Sequence, residues 1–354
     1  MRLCVRNPHR HTLITMSTVD SENPVSTNKA RHYYDLLIEF ASYIGPTWLI
    51  SCTLIDPGAI EGALQQGAET NYQLIWVTLW ATVIVLVFQY LASKLAICIQ
   101  QNLGDMCYKY NHTQYSGHIS TIINGLYWFG LECSVIGDDF QGIIGCMIGI
   151  QLLTGLSYWI CCIIAIVAIL LFSAMYYISN SKVESIVGIL MFVMLICYIV
   201  NVSSAHPSPA LVFKGMILPT APSGSVLSIV GSIGGVITPS ALFLQTDLIL
   251  KQHKLKHAQY NEQILTSNLH KRKLCLYSVG ELSIGLTISF LCNLFVICTF
   301  ASAFYDPICA AQGLGNIAGQ CNNFDLASAP LALQGVYGNA AQYLFGIALI
   351  ASGV

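Results

Sequence analysis

Long apolar stretches recur along this chain of 354 residues. The most uniform of them are Tyr72–Leu91, Leu156–Met175, Val183–Val202 and Leu274–Ala301. Each is long enough to cross a hydrocarbon core of about 30 Å as an α-helix. Charged residues make up only 9% of the chain and the mean hydropathy is +0.64, whereas soluble domains carry about 25% charged residues. The sequence therefore predicts an all-α polytopic membrane protein.

The positions of the basic residues predict how the chain is oriented in the membrane. We expect eight spans, near residues 40–64, 72–95, 119–153, 156–178, 183–205, 223–250, 274–301 and 338–354. With a cytoplasmic N-terminus, all of the 15 Lys and Arg residues except Lys214 fall in the tail, in inner loops or at the adjoining helix ends. Cytoplasmic loops of membrane proteins carry an excess of Lys and Arg. The sequence therefore predicts a multi-pass integral membrane protein with a cytoplasmic N-terminus.

The N-terminal segment differs in composition from the rest of the chain. Residues 1–36 are polar and lack the apolar core of a signal peptide. We predict a disordered cytoplasmic tail over residues 1–36 and one transmembrane domain over residues 37–354, with about eight spans.

Two cysteines stand apart from the other cysteines. Most of the 14 lie inside apolar spans, where cysteine behaves as a small hydrophobic residue. Cys309 and Cys321 both fall in the predicted outer loop 302–337. If that loop faces an oxidising compartment, the two can form a disulfide; from the sequence, paired and free thiols are equally open.

Two of the predicted spans are interrupted by helix-breaking residues. In the first span Asp56 is followed by Pro57 and Gly58, and in the sixth the segment 232–239 contains Gly234, Gly235 and Pro239. A single proline or glycine in a membrane helix is common and usually produces only a kink. A break that carries a carboxylate, matched by another break five spans later, indicates a binding site near the middle of an inverted-repeat transporter.

The residues around both breaks resemble a known family, the natural resistance-associated macrophage proteins (NRAMP), which are divalent metal transporters. The matching segments are "YIGPTWLISCTLIDPGAIEGALQQGA", "LECSVIGDDFQGIIGCMIGIQLLTGL", "GGVITPSALFLQTDLIL" and "AAQYLFGIALIASG". They occur in the family's order, from about residue 38 to the last residue. The resemblance implies a LeuT-type inverted-repeat fold with broken first and sixth helices, and alternating access to a metal held at the breaks.

The resemblance also implies a set of metal-binding positions. Asp56 matches the family's metal-binding aspartate, and Ala59 stands where the family has an asparagine ligand. Gly235 stands where an alanine carbonyl binds metal, and Thr238 where a methionine thioether does. We expect the missing asparagine side chain at Ala59 to enlarge the site.

Other positions correspond to the family's proton pathway or to residues around the metal. Glu132 and Asp139 match acidic positions linked to proton movement, and Glu61 matches an acidic residue of the first-helix signature. Ser240 replaces a histidine, and Gly142 replaces a further acidic residue. Glu132 and Asp139 are seven residues apart and share one helix face; they either relay protons or pair with polar groups.

The acidic residue next to Asp139 has a different expected role. Asp138 precedes Asp139 directly in the third span. Because adjacent helical positions do not share a face, we expect Asp138 to point elsewhere and to be structural.

The departures from the family pattern favour a particular substrate. Thioether ligands favour transition metals, whereas carboxylate, hydroxyl, carbonyl and water oxygens suit magnesium, calcium or manganese. The pattern is similar to that of NRAMP-related magnesium transporters. We therefore predict a divalent cation transporter with hard-ion selectivity, magnesium being favoured. Without the histidine, a group that titrates near neutral pH, proton coupling is expected to be weak or absent.

Two alternatives stay open at this stage. One is a proton-coupled manganese or iron transporter, and the other is a non-transporting NRAMP-like sensor or signalling domain. We expect no enzyme activity, no cofactor apart from the transported ion and no nucleic-acid partner; the lipid bilayer is the other expected partner, and the oligomeric state is open. The family continues with two further core helices after the matching region, so we expect this chain to be a C-terminally truncated piece with an incomplete eighth span.

Overall fold

The fold is described from a computed structural model of the chain. The structure describes residues 55–115, 117–178, 180–222, 224–257, 268–312, 314–317, 319–322 and 325–353. The predicted tail over residues 1–36 and the first part of the predicted first span lie outside the described residues. Both therefore stay predictions.

Helices make up nearly all of the described chain. The helices up to the middle of the sixth predicted span are α1 (Pro57–Thr70), α2 (Ile75–Ile99), α3 (Leu103–Gln114), α4 (His118–Thr154), α5 (Tyr158–Ile178), α6 (Asn180–Ala205), α7 (Pro209–Ile217) and α8 (Val226–Val236). Those that follow are α9 (Pro239–His257), α10 (Asn268–Phe304), α11 (Pro307–Ala310), α12 (Ala329–Tyr337) and α13 (Asn339–Gly353).

The helices that can cross a membrane coincide with the predicted spans. Six described segments are long and apolar enough: Ile75–Ile99, His118–Thr154, Tyr158–Met175, Ser185–Ala205, Val226–Lys251 and Lys271–Phe304. They confirm a multi-pass integral membrane protein. The side of the membrane on which the N-terminus lies stays a prediction.

The sixth predicted span is broken, although not at its glycines. Helix α8 ends at Val236 and α9 begins at Pro239, so Ile237 and Thr238 form the break. Gly234 and Gly235, which we expected to take part in it, lie instead in the last turn of α8. Proline has no N–H and ends a helical hydrogen-bond ladder, whereas glycine only weakens one. The position of the break is therefore determined by Pro239 and not by the glycines.

Aromatic side chains from three helices form the centre of the main apolar core. Phe300 of α10 and Phe345 of α13 are each 1% exposed, and their ring centroids are 6.1 Å apart. Tyr198 of α6 meets Phe345 edge-on, with the centroids 6.3 Å apart. Helix α1 packs along α10 beside this cluster. The core thus fixes α1, whose first residues lie at the candidate site.

The loop after α10 contains a short hairpin closed by a disulfide. Strands β1 (Gly315–Ile317) and β2 (Gln320–Asn322) pair antiparallel, and Asn316 lies opposite Cys321. Cys321 is joined to Cys309 of α11, and their Cα atoms are 5.1 Å apart. The structure therefore pairs the two cysteines that the sequence singles out. Such a crosslink limits the freedom of this loop.

Helices α4 and α13 approach each other closely at a glycine. A Cβ atom at Gly149 would lie 2.6 Å from Cγ1 of Ile350 and 2.7 Å from the carbonyl oxygen of Gly346. Small residues at such positions let helix backbones approach in membranes. Gly149 is therefore required for the packing of α13 on α4.

We expect Gly149→Ala to destabilise the protein. The added methyl overlaps backbone atoms of α13, and overpacking of this kind costs about 1–3 kcal/mol. Gly130→Ala is the matched control on the same helix, because a Cβ atom there has nothing within 4 Å; it should be neutral or stabilise by up to about 1 kcal/mol. Thermal unfolding in detergent compares the two, and equal midpoints would contradict the proposed close contact.

Candidate metal site

Asp56 lies immediately before α1 and caps its N-terminus. Its backbone is extended, with φ −84° and ψ 164°, and Pro57 occupies the first turn of the helix. The Asp56 Oδ1 atom accepts a hydrogen bond of 2.5 Å from the N–H of Ala59. A helix N-terminus stabilises a negative charge. The carboxylate is therefore held in one position by the start of α1.

Helix α4 packs against this start through one glycine and one amide side chain. A Cβ atom at Gly145 would overlap the ring of Pro57, and one at Gly58 would overlap the side chain of Gln141. Because Pro57 is rigid, its contact with Gly145 determines how close α4 comes to Asp56.

A cavity of about 500 Å³ lies between the two breaks, α4 and the end of α13. Its polar lining residues are Asp56, Asp138, Asp139, Thr238, Ser240 and Ser352. Apolar side chains of α5 and α6 complete the wall, among them Phe172 and Met191. No Lys, Arg or His is among the described residues that line it. The cavity has room for a metal ion with several of its waters.

The predicted metal-binding positions separate into two groups. Asp56 and Thr238 line the cavity, whereas Ala59 and Gly235 do not. Ala59 is 5% exposed and packs against Gly235. A Cβ atom at Gly235 would lie 3.1 Å from the Cα atom of Ala59. The expectation that Ala59 enlarges the site is therefore wrong, because α1 and α8 close together where the side chain is missing.

Gly235 does not line the cavity, but its carbonyl oxygen lies next to the break. In a continuous helix it would accept a hydrogen bond from the N–H of the residue four positions later. That residue is Pro239, which has no N–H to donate. The break therefore removes the usual helical partner of this carbonyl, which makes it a candidate ligand.

Asp138 is the functional candidate that sequence reasoning missed. It lines the cavity, and its Oδ2 atom accepts a hydrogen bond of 2.7 Å from Oγ of Ser240. The expectation that Asp138 points away is wrong. Val135, Asp138, Asp139 and Gly142 all line the cavity, and their spacing of three, four and seven residues is that of one helix face. This periodicity was the signal that could have found Asp138.

The remaining predicted positions lie outside the cavity lining. Glu132 is exposed on α4, away from the cavity that Asp139 lines. Glu61 is half-buried on α1, where its Oε1 atom accepts a hydrogen bond of 3.2 Å from Gln65. The structure therefore does not bring Glu132 and Asp139 together in one cavity as the two ends of a relay.

The available donors define the chemistry of the site. In the part of the chain that the structure describes, no group of three or more His, Cys, Asp and Glu residues is arranged to hold a metal. The cavity is lined by the carboxylates of Asp56, Asp138 and Asp139 and by the hydroxyls of Thr238, Ser240 and Ser352. These are hard oxygen ligands. An ion bound here would keep part of its water shell.

The fold and the cavity together define a class of protein: an integral membrane protein with a carboxylate at a helix break, as in secondary transporters. A family model described as natural resistance-associated macrophage protein-like matches residues 47–354. The chain belongs to this NRAMP family, and the predicted LeuT-type helical fold class is confirmed.

Relatives with known names agree with this assignment. The chain is 30% identical over 330 residues to natural resistance-associated macrophage protein 1 of the dog. The aligned region covers 88% of this chain and 57% of that protein. It is 29% identical over 317 residues to the rice metal transporter NRAT1. That alignment covers 89% of this chain and 54% of the rice protein. The chain thus spans little more than half the length of these relatives.

Solved structures show the same fold. A crystal structure of a mutant manganese transporter from Eremococcus coleocola superposes with a TM-score of 0.68 and 20% sequence identity. The match covers 95% of this chain and 65% of that chain. A second structure of that transporter, in complex with an aromatic bis-isothiourea compound, gives a TM-score of 0.67.

We expect Gly145→Ala to weaken metal binding. The new methyl collides with Pro57 and displaces the neighbouring Asp56, and changes in the shell around a metal ligand typically lower affinity about 10- to 100-fold. Gly125→Ala on the same helix is the control, since a Cβ atom there meets nothing within 4 Å. Calorimetric titration of both purified variants with Mn²⁺ and Mg²⁺ measures the effect; unchanged affinity in Gly145→Ala would show that the contact does not position Asp56.

Proposed function

We propose that this chain forms the ion-binding part of a divalent cation transporter that works by alternating access. The observation that carries the proposal is the Asp56 carboxylate, fixed at the N-terminus of α1 and facing the same cavity as Thr238 in the opposite break. Half-helix ends that meet at such a cavity bind the substrate in transporters with inverted repeats. The names of the relatives, metal transporters among them, support the same function.

We propose magnesium as the favoured substrate. The donors Asp56, Asp138 and Thr238 present oxygen atoms only, and the Gly235 carbonyl is a further oxygen next to the break. Mg²⁺ dehydrates reluctantly and is usually held by one or two carboxylates together with several waters. A cavity of about 500 Å³ accommodates those waters. The thioether that would favour a softer metal is replaced by Thr238.

The packing around the breaks suggests how the helices would move. Helices α1 and α8 are in close contact, since a Cβ atom at Gly62 would lie 3.7 Å from the backbone of Gly231. Helix α9 is hydrogen-bonded to α2, since Nε2 of Gln245 donates to the backbone oxygen of Gln89 at 3.1 Å. Both α8 and α9 pack against α2, but α8 also packs against α1, whereas α9 also packs against α3 and α4. Rotation at the break 237–238 would therefore move α8 with α1 relative to α9 and open the cavity to one side or the other.

We expect Asp56→Asn to abolish uptake of Mg²⁺ into proteoliposomes. Asparagine is as good a helix N-cap as aspartate, so the variant keeps the start of α1 and removes only the charge. Its thermal stability should stay within about 1 kcal/mol of the wild type. Full uptake by Asp56→Asn would show that the cation binds elsewhere.

A second candidate substrate is manganese, because the solved structures of this fold are those of a manganese transporter. Competition separates the two candidates. If magnesium is the substrate, excess Mg²⁺ suppresses Mn²⁺ uptake; if manganese is, Mn²⁺ uptake persists. Binding of either ion without flux would instead favour a non-transporting sensor.

We expect metal uptake to proceed without proton uptake. The position of the family's histidine is occupied by Ser240, whose hydroxyl does not titrate near neutral pH, and Glu132 lies away from the cavity. A pH-sensitive dye inside proteoliposomes should report no acidification during Mg²⁺ entry, while an added protonophore provides the positive control. Acidification that depends on the metal would contradict uncoupled transport.

A further inference from the structure

Asp138 and Ser240 connect two parts of the cavity wall that are far apart in sequence. Asp138 lies on α4, and Ser240 is the second residue of α9. The hydrogen bond of 2.7 Å from the Ser240 hydroxyl fixes one oxygen of the Asp138 carboxylate at the start of α9. Both residues line the cavity together with Asp56 and Thr238.

The two half-helices thus each have a carboxylate near their first turn. Asp56 caps α1, and Asp138 is bonded to the first turn of α9. The partial positive charge of a helix N-terminus stabilises an anion. Both half-helices therefore place a carboxylate at the cavity.

Three of the described residues that line the cavity are acidic, namely Asp56, Asp138 and Asp139. Negative charges that line one cavity repel each other. None of the described lining residues is basic. Repulsion between charges is strong where little water surrounds them. A divalent cation between the two carboxylates would remove it.

We propose that Asp138 is a second cation-facing carboxylate that sets the affinity of this cavity for hard divalent ions, and that Ser240 is its positioning residue. This inference rests on the proposed function, since it concerns the same cavity. It explains how a site that lacks the amide, thioether and imidazole groups of the family pattern retains ligands: a carboxylate from α4 takes their place. Mg²⁺ is commonly held by two carboxylates and waters.

A purely structural role for Asp138 makes a different prediction. In that case the residue only joins α4 to α9 through Ser240. Asp138→Asn separates the two roles, because the amide oxygen of asparagine still accepts the hydrogen bond from Ser240 while the charge is lost. Ser240→Ala does the opposite, since it removes the hydrogen bond and keeps the charge.

The experiment is calorimetric titration of the purified protein with Mg²⁺, accompanied by Mg²⁺ uptake into proteoliposomes. We expect Asp138→Asn to weaken Mg²⁺ binding at least about tenfold, as loss of a group around a metal does. Ser240→Ala should weaken it less, and Ser240→Thr, which keeps a hydroxyl, should restore it. Asp105→Asn is the matched control: Asp105 lies on α3, outside the cavity lining, and its substitution should leave binding unchanged.

The outcomes distinguish this inference from the proposed function. If the wild type binds Mg²⁺ and Asp138→Asn binds it equally well, Asp138 only joins two helices and the inference is overturned. If the wild type binds Mg²⁺ without transporting it, transport is wrong, and the affinity of Asp138→Asn still decides the role of the carboxylate. If the wild type binds neither Mg²⁺ nor Mn²⁺, both proposals fail.

Discussion

The structure depends on one constraint: inside a membrane, every interruption of a helix exposes backbone groups that water cannot reach. The chain contains prolines at both breaks, and each has a specific consequence. At the start of α1 the side chain of Asp56 accepts the hydrogen bond of the Ala59 N–H, which would otherwise have no helical acceptor. At the second break Pro239 has no N–H for the Gly235 carbonyl. The first break thus presents the Asp56 side chain to the cavity, and the second presents Thr238 there and leaves the Gly235 carbonyl without its usual helical partner.

Close packing around the breaks is achieved by glycine rather than by large side chains. Gly145 admits Pro57, Gly149 admits the backbone of α13, and Gly235 admits Ala59. In a lipid environment the apolar surface of a helix gains little from contact with another helix, so association depends on close van der Waals contact and on hydrogen bonds. The same glycines that hold α4 against its neighbours also place one face of α4 along the cavity. The stability of the fold and the geometry of the site are therefore linked through a single helix.

Patterns local in sequence predicted much of this arrangement. Apolar stretches gave the spans, Pro239 indicated the second break, and the outer loop contained the two cysteines that pair. The features that the sequence does not predict depend on how closely two helices approach each other. The small side chain of Ala59 by itself predicts an enlarged site. Neither segment of the sequence shows that α8 approaches α1 at Gly235. The spacing of Glu132 and Asp139 alone does not place Asp138 at the cavity. The cavity-lining face of α4 also includes Val135 and Gly142, and this wider pattern places Asp138 on it.

The substitutions at the site share one chemical consequence: they leave oxygen as the donor atom. Relative to the family pattern, an amide, a thioether and an imidazole are replaced by Ala59, Thr238 and Ser240, and the cavity contains Asp138 beside Asp56. Donors that contain sulfur and nitrogen thus give way to hydroxyl oxygens, while Asp138 places a carboxylate on the face of α4 where Gly142 lacks one. A soft metal gains much of its binding energy from sulfur and nitrogen ligands, whereas a small hard ion gains it from charge and from the waters that it keeps. Asparagine at position 59 would also require space that the contact between α1 and α8 now occupies. The small residues at 59 and 235 allow α1 and α8 to come close together, and under the proposed function the carboxylate of Asp138 on α4 would supply the ligand that this close contact excludes.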